Sequence, residues 1–518
     1  MKYLLLLIIN LFLLITLSAQ PNFSNAYRVA EDSAFYTSFG SIIATDSAYY
    51  ISGITRDTLD GYSINRGMLM KIDTNGNKIW SRIYGDITHT TETWYGTMIV
   101  TNQGNLANVG KDAYGGTGFL LITDYDGNIL INKRYSDTNR IFFTGIVQDD
   151  NSNFYLSGNF FYTYDSKSIL IKTDSLGNEI WRKYYDAFPN GDSTDATYSN
   201  DILIASNGNL ILAVSKRKDY YYNFSYKKGV WIFEIDSTGD LLKEYHSPIN
   251  NRWISVHSMA KTKDDGVLFC NHEGLRKIGT NPNIPSYDYE GYIGKLDSNL
   301  QLVWERRYGS VRSQFSYVKE KANGNILVTG SLVSDLTVDS VEITGWLMEL
   351  DENGDSLWQR EYMVFSGLGQ LHVLGEFETL DDGRIVISGW VQNLRSDAGS
   401  AFNYWGWLIR TDSLGCIVPG CQLLDNTENV GQGHALALQM TVFPNPASDV
   451  VNFRFDKPIN EKVVIRVYSS LGQLVGETNM NNSTEAEMNV SDWNSGMYFY
   501  GVYVEGRLVK QGQILIRN

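Results

Sequence analysis

Three kinds of residue are scarce in this sequence, and each shortage excludes something. Cysteine occurs three times in 518 residues, at Cys270, Cys416 and Cys421. So few cannot make a disulfide scaffold, and the fold has to rest on packing. Histidine occurs six times, at His89, His246, His257, His272, His372 and His434, and none stands in a His-Glu-x-x-His helix motif or a tight ligand cluster. No metal and no cofactor is assigned. Basic residues are the minority, 43 Lys and Arg against 58 Asp and Glu, a net charge of −15 with no basic cluster. That balance argues against nucleic-acid binding. Long apolar runs are missing after the N-terminus, so no later segment spans a bilayer as a helix. A Gly-x-Ser-x-Gly elbow and a phosphate loop are missing too, and no catalytic residue is assigned.

The one long apolar run comes first. Lys2 supplies a positive start, and residues 4–17 are almost wholly apolar. That length falls short of the roughly 20 residues a spanning helix needs, so the segment reads as a signal peptide. Ser18 and Ala19 offer a small-residue cleavage point before Gln20, and no Cys follows that would make a lipoprotein start. Export places the cysteines in an oxidising compartment. A tight turn over residues 417–420 can join Cys416 to Cys421, while Cys270 beside Val267, Leu268 and Phe269 reads as a small buried hydrophobe.

What fills the middle of the chain is a repeat. Apolar residues lead to an Asp, usually a Gly-Asn follows, and often a Trp stands seven and a Tyr eleven residues after the Asp. The anchors are Asp73, Asp124, Asp174, Asp236, Asp297, Asp351 and Asp412, with Trp80, Trp181, Trp304 and Trp358 at the Trp position. Ile131 and Lys243 stand there in the second and fourth copies, and Tyr245 is displaced by two residues. Asp then Gly-Asn between apolar runs is a hairpin signal, with Asp accepting backbone N–H groups and Gly taking positive φ. Asp126 in the second copy glances at a calcium loop but lacks the downstream Glu, so this is a plain turn. A second turn-and-strand pattern alternates with the first, as at residues 323–330 and 382–389. Each unit then offers four short strands, and seven such units make an all-β chain read as a seven-bladed β-propeller, with a β-solenoid as the alternative.

The seventh copy ends at Cys416 without its Trp–Tyr strand, while the N-terminus carries Phe23 and Tyr27 at the same spacing as Trp80 and Tyr84. The N-terminal strand is therefore expected to complete the last blade and close the ring. The recurrent Trp reads as packing between blades rather than a ligand platform. Over residues 23–418 the pattern resembles the tryptophan-docked repeats of the PQQ-type propellers, which implies architecture and not quinone binding. It is also similar to sialidase Asp-boxes, where Gly and Trp sit closer to the Asp. Neither resemblance carries over a catalytic residue.

Residues 422–439 are polar and read as a linker. From residue 440 the chain resembles the type A C-terminal sorting domain of type IX secretion cargo in Bacteroidetes-type bacteria. The match rests on Pro444-Asn445-Pro446, on Gly472 in the central hairpin, and on Gly496-Met497-Tyr498 in the third block. The tail departs slightly, with Lys510-Gln511-Gly512 where the family often has paired lysines. Without the family, about seven alternating strands still fit an Ig-like β-sandwich. The resemblance implies delivery by type IX secretion machinery to the outer surface of a Gram-negative cell or the medium, through the periplasm.

The organisation is thus a signal peptide over residues 1–19, a propeller over 20–421, a linker over 422–439 and a sorting domain over 440–518. One ligand hint remains. Tyr220, Tyr221, Tyr222 and Tyr226 crowd a loop in the fourth unit, where they could stack on sugar rings or grip a protein. The composition favours a long hairpin packing its own tyrosines. Two functions stay open: a non-enzymatic propeller binding extracellular glycan or protein, or an extracellular hydrolase, lyase or quinoprotein built from residues far apart in sequence.

Overall fold

The computed structural model describes residues 22–29, 36–59, 62–85, 97–112, 116–137, 139–161, 166–185, 195–218, 227–247, 252–277, 286–309, 312–336, 341–365, 370–393, 404–418, 421, 440–455, 462–469, 474–480, 483–504 and 507–517. The chain divides into two compact parts: Ala26–Ile72 with Lys78–Ile409, and Asp73–Asn77 with the residues from Arg410 onward and those up to Asn25.

Among the described residues the secondary structure is strand throughout. The first repeat unit runs Tyr36–Ala44, Ala48–Leu59, Tyr62–Asp73 and Lys78–Tyr84, each strand beside the one before it. The same meander recurs along the chain, with first strands at Met98–Val100, Arg140–Gln148, Asp195–Ile204, Arg252–Lys261, Gln314–Glu320 and Gln370–Thr379. That last unit has three strands of its own among the described residues, ending with Tyr404–Thr411, and Phe23–Tyr27 pairs with Tyr404–Thr411 as its fourth. The first strands of successive units lie against one another in turn, and Gln370–Thr379 returns to Tyr36–Ala44. Single parallel pairings bridge Ser166 to Ala196, Ile343 to Leu371 and Tyr404 to Tyr36.

The turn before each fourth strand is built from its Asp. One carboxylate oxygen of Asp73 accepts the N–H groups of Asn75 (2.9 Å) and Asn77 (2.8 Å), and the other accepts the Asn77 amide at 2.9 Å. Asp124, Asp174, Asp236, Asp297, Asp351 and Asp412 accept the corresponding two N–H groups. The Asn128 and Asn178 side chains, bonded to the carboxylates, hold Asp124 and Asp174 below the ordinary carboxylate range. Gly127 takes φ +78° in its turn, where a side chain would be strained.

That glycine is also where the previous unit docks. A Cβ on Gly127 would stand 3.1 Å from the Trp80 ring, one on Gly239 3.1 Å from Trp181, one on Gly354 3.0 Å from Trp304, and one on Gly76 3.2 Å from Phe23. The Tyr84, Tyr135 and Tyr185 hydroxyls donate to the carbonyls of Gly127 (2.9 Å), Gly177 (2.8 Å) and Gly239 (2.9 Å), and Tyr308 donates to Gly354. Asn25 donates to the Gly76 carbonyl at 3.2 Å. In the first, third and fifth units the recurrent Trp and Tyr thus join the unit to the turn of the next, and the apolar core lies in the seams.

The C-terminal segment forms two sheets. One orders Met440–Phe443, Val450–Phe455 and Glu485–Asn489; the other orders Leu474–Met480, Val463–Ser469, Gly496–Val504 and Arg507–Ile516. Alternate residues of both sheets share one apolar cluster, including Phe453, Ile465, Val502 and Ile514. Phe453 meets Tyr500 edge-on at 5.3 Å.

Candidate functional site

The first strands of the repeat units carry a shared irregularity. Pairing with the second strand slips between Phe39 and Ile42, Phe143 and Gly145, Ser199 and Asp201, Val256 and Ser258, Phe315 and Tyr317, and Leu374 and Phe377. Such a bulge frees a residue from the ladder and re-aims the side chains around it. Here they reach sideways to the next unit. The Ser41 hydroxyl accepts from Thr97 N–H (3.0 Å), and Thr144 donates to the Ser199 carbonyl (3.1 Å). Asp201 accepts from Met259 N–H (2.7 Å), and His257 Nδ1 donates to the Ser316 carbonyl (2.9 Å). Thr329, on a second strand, donates to the Gly375 carbonyl, and Glu376 accepts from Ile42 N–H (2.9 Å), joining the last unit to the first.

Six of these first strands enclose a cavity of about 190 Å³, with Asp201, His257, Tyr317 and Glu376 on its wall beside Met98 and Ile146. Glu376 is buried, whereas Asp201, His257 and Tyr317 keep some surface toward the cavity. Burial disfavours the charged form of each group. It raises Asp201 to about 7 and, helped by Glu378 and Asp201, Glu376 to about 8. It lifts the Tyr317 phenol far above its usual range and holds the His257 imidazole below its own. Near neutral pH the cavity therefore holds two carboxyl groups poised to titrate, a neutral imidazole and a phenol. Such a set can move protons; among the described residues no group of three or more His, Cys, Asp or Glu could hold a metal.

His372 differs. Its Nε2 accepts N–H bonds from Val364 (2.9 Å) and Phe365 (3.1 Å), and its Nδ1 donates to the Ile343 carbonyl at 2.8 Å. It is a fully satisfied packing residue.

Sequence spacing did not single out the cavity residues, yet a signal for them exists. Thr144, Asn200, His257 and Ser316 each stand seven residues before the Asn or Asp of the second turn, at Asn151, Asn207, Asp264 and Asn323. The polar residue breaks the strand alternation at a fixed place, which marks the bulge.

The other residues expected to act fall as follows. Cys416 and Cys421 are joined by a disulfide with Cα atoms 5.6 Å apart, and Cys270 is a buried free thiol. Tyr220, Tyr221, Tyr222 and Tyr226 lie outside the described residues, as do Gly472 and the segments expected as signal peptide and linker. In the C-terminal segment, Pro444 and Pro446 have no N–H to give, and Asn445 between them bonds in their stead. Its side chain donates to the Gln513 carbonyl (3.0 Å) and accepts from Leu515 N–H (2.8 Å), clipping the motif to the last strand. Met497 pairs with Leu515 on the same strand, and the Tyr498 hydroxyl donates to the Asn494 carbonyl at 2.9 Å. Motif and C-terminal strand thus form one surface.

The fold class is an all-β repeat region of propeller-like strand pattern followed by a small two-sheet domain. Residues 441–517 of the second match the family of secretion system C-terminal sorting domains, the type IX secretion address. That match implies secretion and handling by the type IX machinery. No curated protein matches the chain. Among solved structures, it is similar to the polysaccharide lyase Uly1 (10% identity, TM-score 0.44, covering 77% of this chain and 93% of that one). It is similar to a PL25 ulvan lyase bound to -[GlcA(1-4)Rha3S]- (10%, 0.47, 79% and 98%) and to the β-propeller domain of the Trilobed protease from Pyrococcus furiosus (11%, 0.40, 72% and 94%). No residue role follows from likeness at this level. No helix among the described residues is long and apolar enough to cross a membrane.

Proposed function

We propose that this chain is an exported seven-bladed β-propeller that binds extracellular glycan or protein without catalysis. Its first 19 residues act as a cleaved signal peptide. Its Ig-like C-terminal domain takes it through the periplasm and across the outer membrane of a Bacteroidetes-type bacterium, to the cell surface or the medium. The observation that carries export is the sorting-domain match over residues 441–517. What supports binding over chemistry is the use of the cavity side chains. Asp201 and Glu376 accept backbone N–H groups of the neighbouring unit, and His257 donates to a backbone carbonyl, so they hold blades together. The test is a glycan array and a panel of purified extracellular proteins, probed with the mature protein. Saturable binding that survives Asp201→Asn supports the reading. Absence of any ligand together with turnover of a substrate overturns it.

A second reading, an extracellular hydrolase, lyase or quinoprotein on the same scaffold, draws on one observation. Two acids lifted toward neutrality share a cavity with an imidazole and a phenol, which is how acid–base sites are made. Depolymerisation of an acidic polysaccharide that is lost in both Asp201→Asn and Glu376→Gln, with folding retained, would establish it.

A further inference from the structure

The seam between the fourth and fifth units lacks what the neighbouring seams share. In the third unit, the row across the second, third and fourth strands reads Tyr155, Lys172, Trp181. There the Trp181 ring meets Tyr155 edge-on at 6.1 Å and covers Gly239 of the next turn. In the fourth unit the same row reads Ile211, Glu234, Lys243, so both large rings are gone. The turn it faces carries Leu300 at φ +59° where other turns carry glycine. Lys243 keeps only the polar half of the tryptophan's role. Trp304 Nε1 donates to the Glu352 carbonyl, one residue after the turn Asp, and Lys243 Nζ donates to the equivalent Ser298 carbonyl at 3.3 Å. The ring's volume is left open as a cavity of about 220 Å³. Its apolar wall includes Leu203, Ile211, Val267 and Leu300, and its polar edge Glu234, Asp265 and Lys261. Tyr245 packs against the same apolar cluster, and its buried hydroxyl has no hydrogen-bond partner.

We propose that this notch is a binding site for a planar aromatic ring carrying a hydrogen-bond donor or a cationic group, seated where the two adjacent seams hold Trp181 and Trp304. Ring-sized space over an aliphatic wall favours an aromatic body, since flat rings bury much area with few rotatable bonds. Glu234 at the edge is held by Lys243 at 3.0 Å and by the Asn207 and Asn209 side chains, and Ser206 donates to Asp265 Oδ1, so Asp265 Oδ2 is the acceptor that favours a donor on the ligand over an anion. The same chemistry could come as a free aromatic amine or as a tryptophan side chain in a partner polypeptide. The notch shares no lining residue with the cavity that holds Asp201 and Glu376.

The test is calorimetric titration of the whole protein with tryptamine, with a Lys-Trp dipeptide amide, and with indole-3-propionate. The site predicts saturable one-to-one binding of at least one cationic probe and at least tenfold weaker binding of the anion. Tryptamine alone would identify a free amine as occupant, and the dipeptide alone a polypeptide. Lys243→Trp should fill the notch, weaken that binding at least tenfold and raise the unfolding midpoint. Ile211→Tyr, which restores the residue the third unit uses, should do the same and guards against misfolding of the first variant. Binding of neither cationic probe, equal binding of the anion, or binding unchanged in both filled variants overturns the proposal.

Discussion

The repeat region and the C-terminal domain bury their apolar residues in different ways. In the repeat region the clusters straddle units: Ala107 and Leu120 share one with Phe154 and Ile169, and Ile211 and Ile232 share another with Phe269 and Tyr292. Clusters shared in this way mean that damage at one seam is felt by its neighbours. Among the described residues, the C-terminal cluster is built from residues between Met440 and Ile516. A domain with a private core can be moved to another protein; a blade cannot.

The largest expected effect sharpens that contrast from the domain side. Phe453, fully buried, should cost about 4 kcal/mol as Phe453→Ala. Differential scanning calorimetry should show one transition shifted, that of the C-terminal domain, with the repeat transition unmoved. A shift of both would break the comparison.

Seams can be attacked at a glycine. Gly127→Ala puts a methyl 2.8 Å from Arg82 and 3.1 Å from Trp80 at φ +78°, while Gly324→Ala meets nothing within 4 Å at φ +91°. Backbone strain is common to both, about 1 kcal/mol, so the docking clash should bring the first to about 3 kcal/mol. Urea unfolding of the two variants measures the difference; equal losses would mean that the ring–glycine contact holds nothing.

The cavity should show itself in pH dependence. Asp201 and Glu376 have folded values of about 7 and about 8, above those of an unfolded chain. The folded state therefore keeps protons that the unfolded state releases above about pH 4. Their stabilisation is full below the unfolded values and is lost as pH rises through 7 to 8, by about 2 kcal/mol each once water in the cavity is allowed for. The double variant Asp201→Asn, Glu376→Gln should flatten the fall between pH 5 and 9. An unchanged slope would place the titrating groups elsewhere. The smallest effect is at the rim: Tyr185→Phe removes one bond to Gly239 and should cost about 1 kcal/mol, read as a small drop in midpoint.

These contrasts also explain what could be read in advance. The rim is local chemistry. An Asp, a Gly three residues on, a Trp and a Tyr at fixed offsets are visible in one stretch, and the structure uses them at one joint. The cavity is not local. Asp201 and Met259 meet across 58 residues, and Glu376 and Ile42 across 334, so no window of sequence holds both partners. The sorting motif lies between these cases. Pro444-Asn445-Pro446 is legible as a signature, but its physical use, an Asn side chain pairing with a strand 70 residues away, appears only in the fold.

Transplantation of the C-terminal domain tests the account most directly. Residues 422–518 are joined to an inert reporter that carries residues 1–20, in a bacterium with type IX secretion, and the reporter is assayed in periplasm, cell surface and medium. The private core and the sorting-domain match predict that the reporter leaves the periplasm, and that Asn445→Ala, which unclips the motif from the last strand, holds it back. A reporter that stays in the periplasm with its domain folded would contradict the account and make the C-terminal domain a binding module instead.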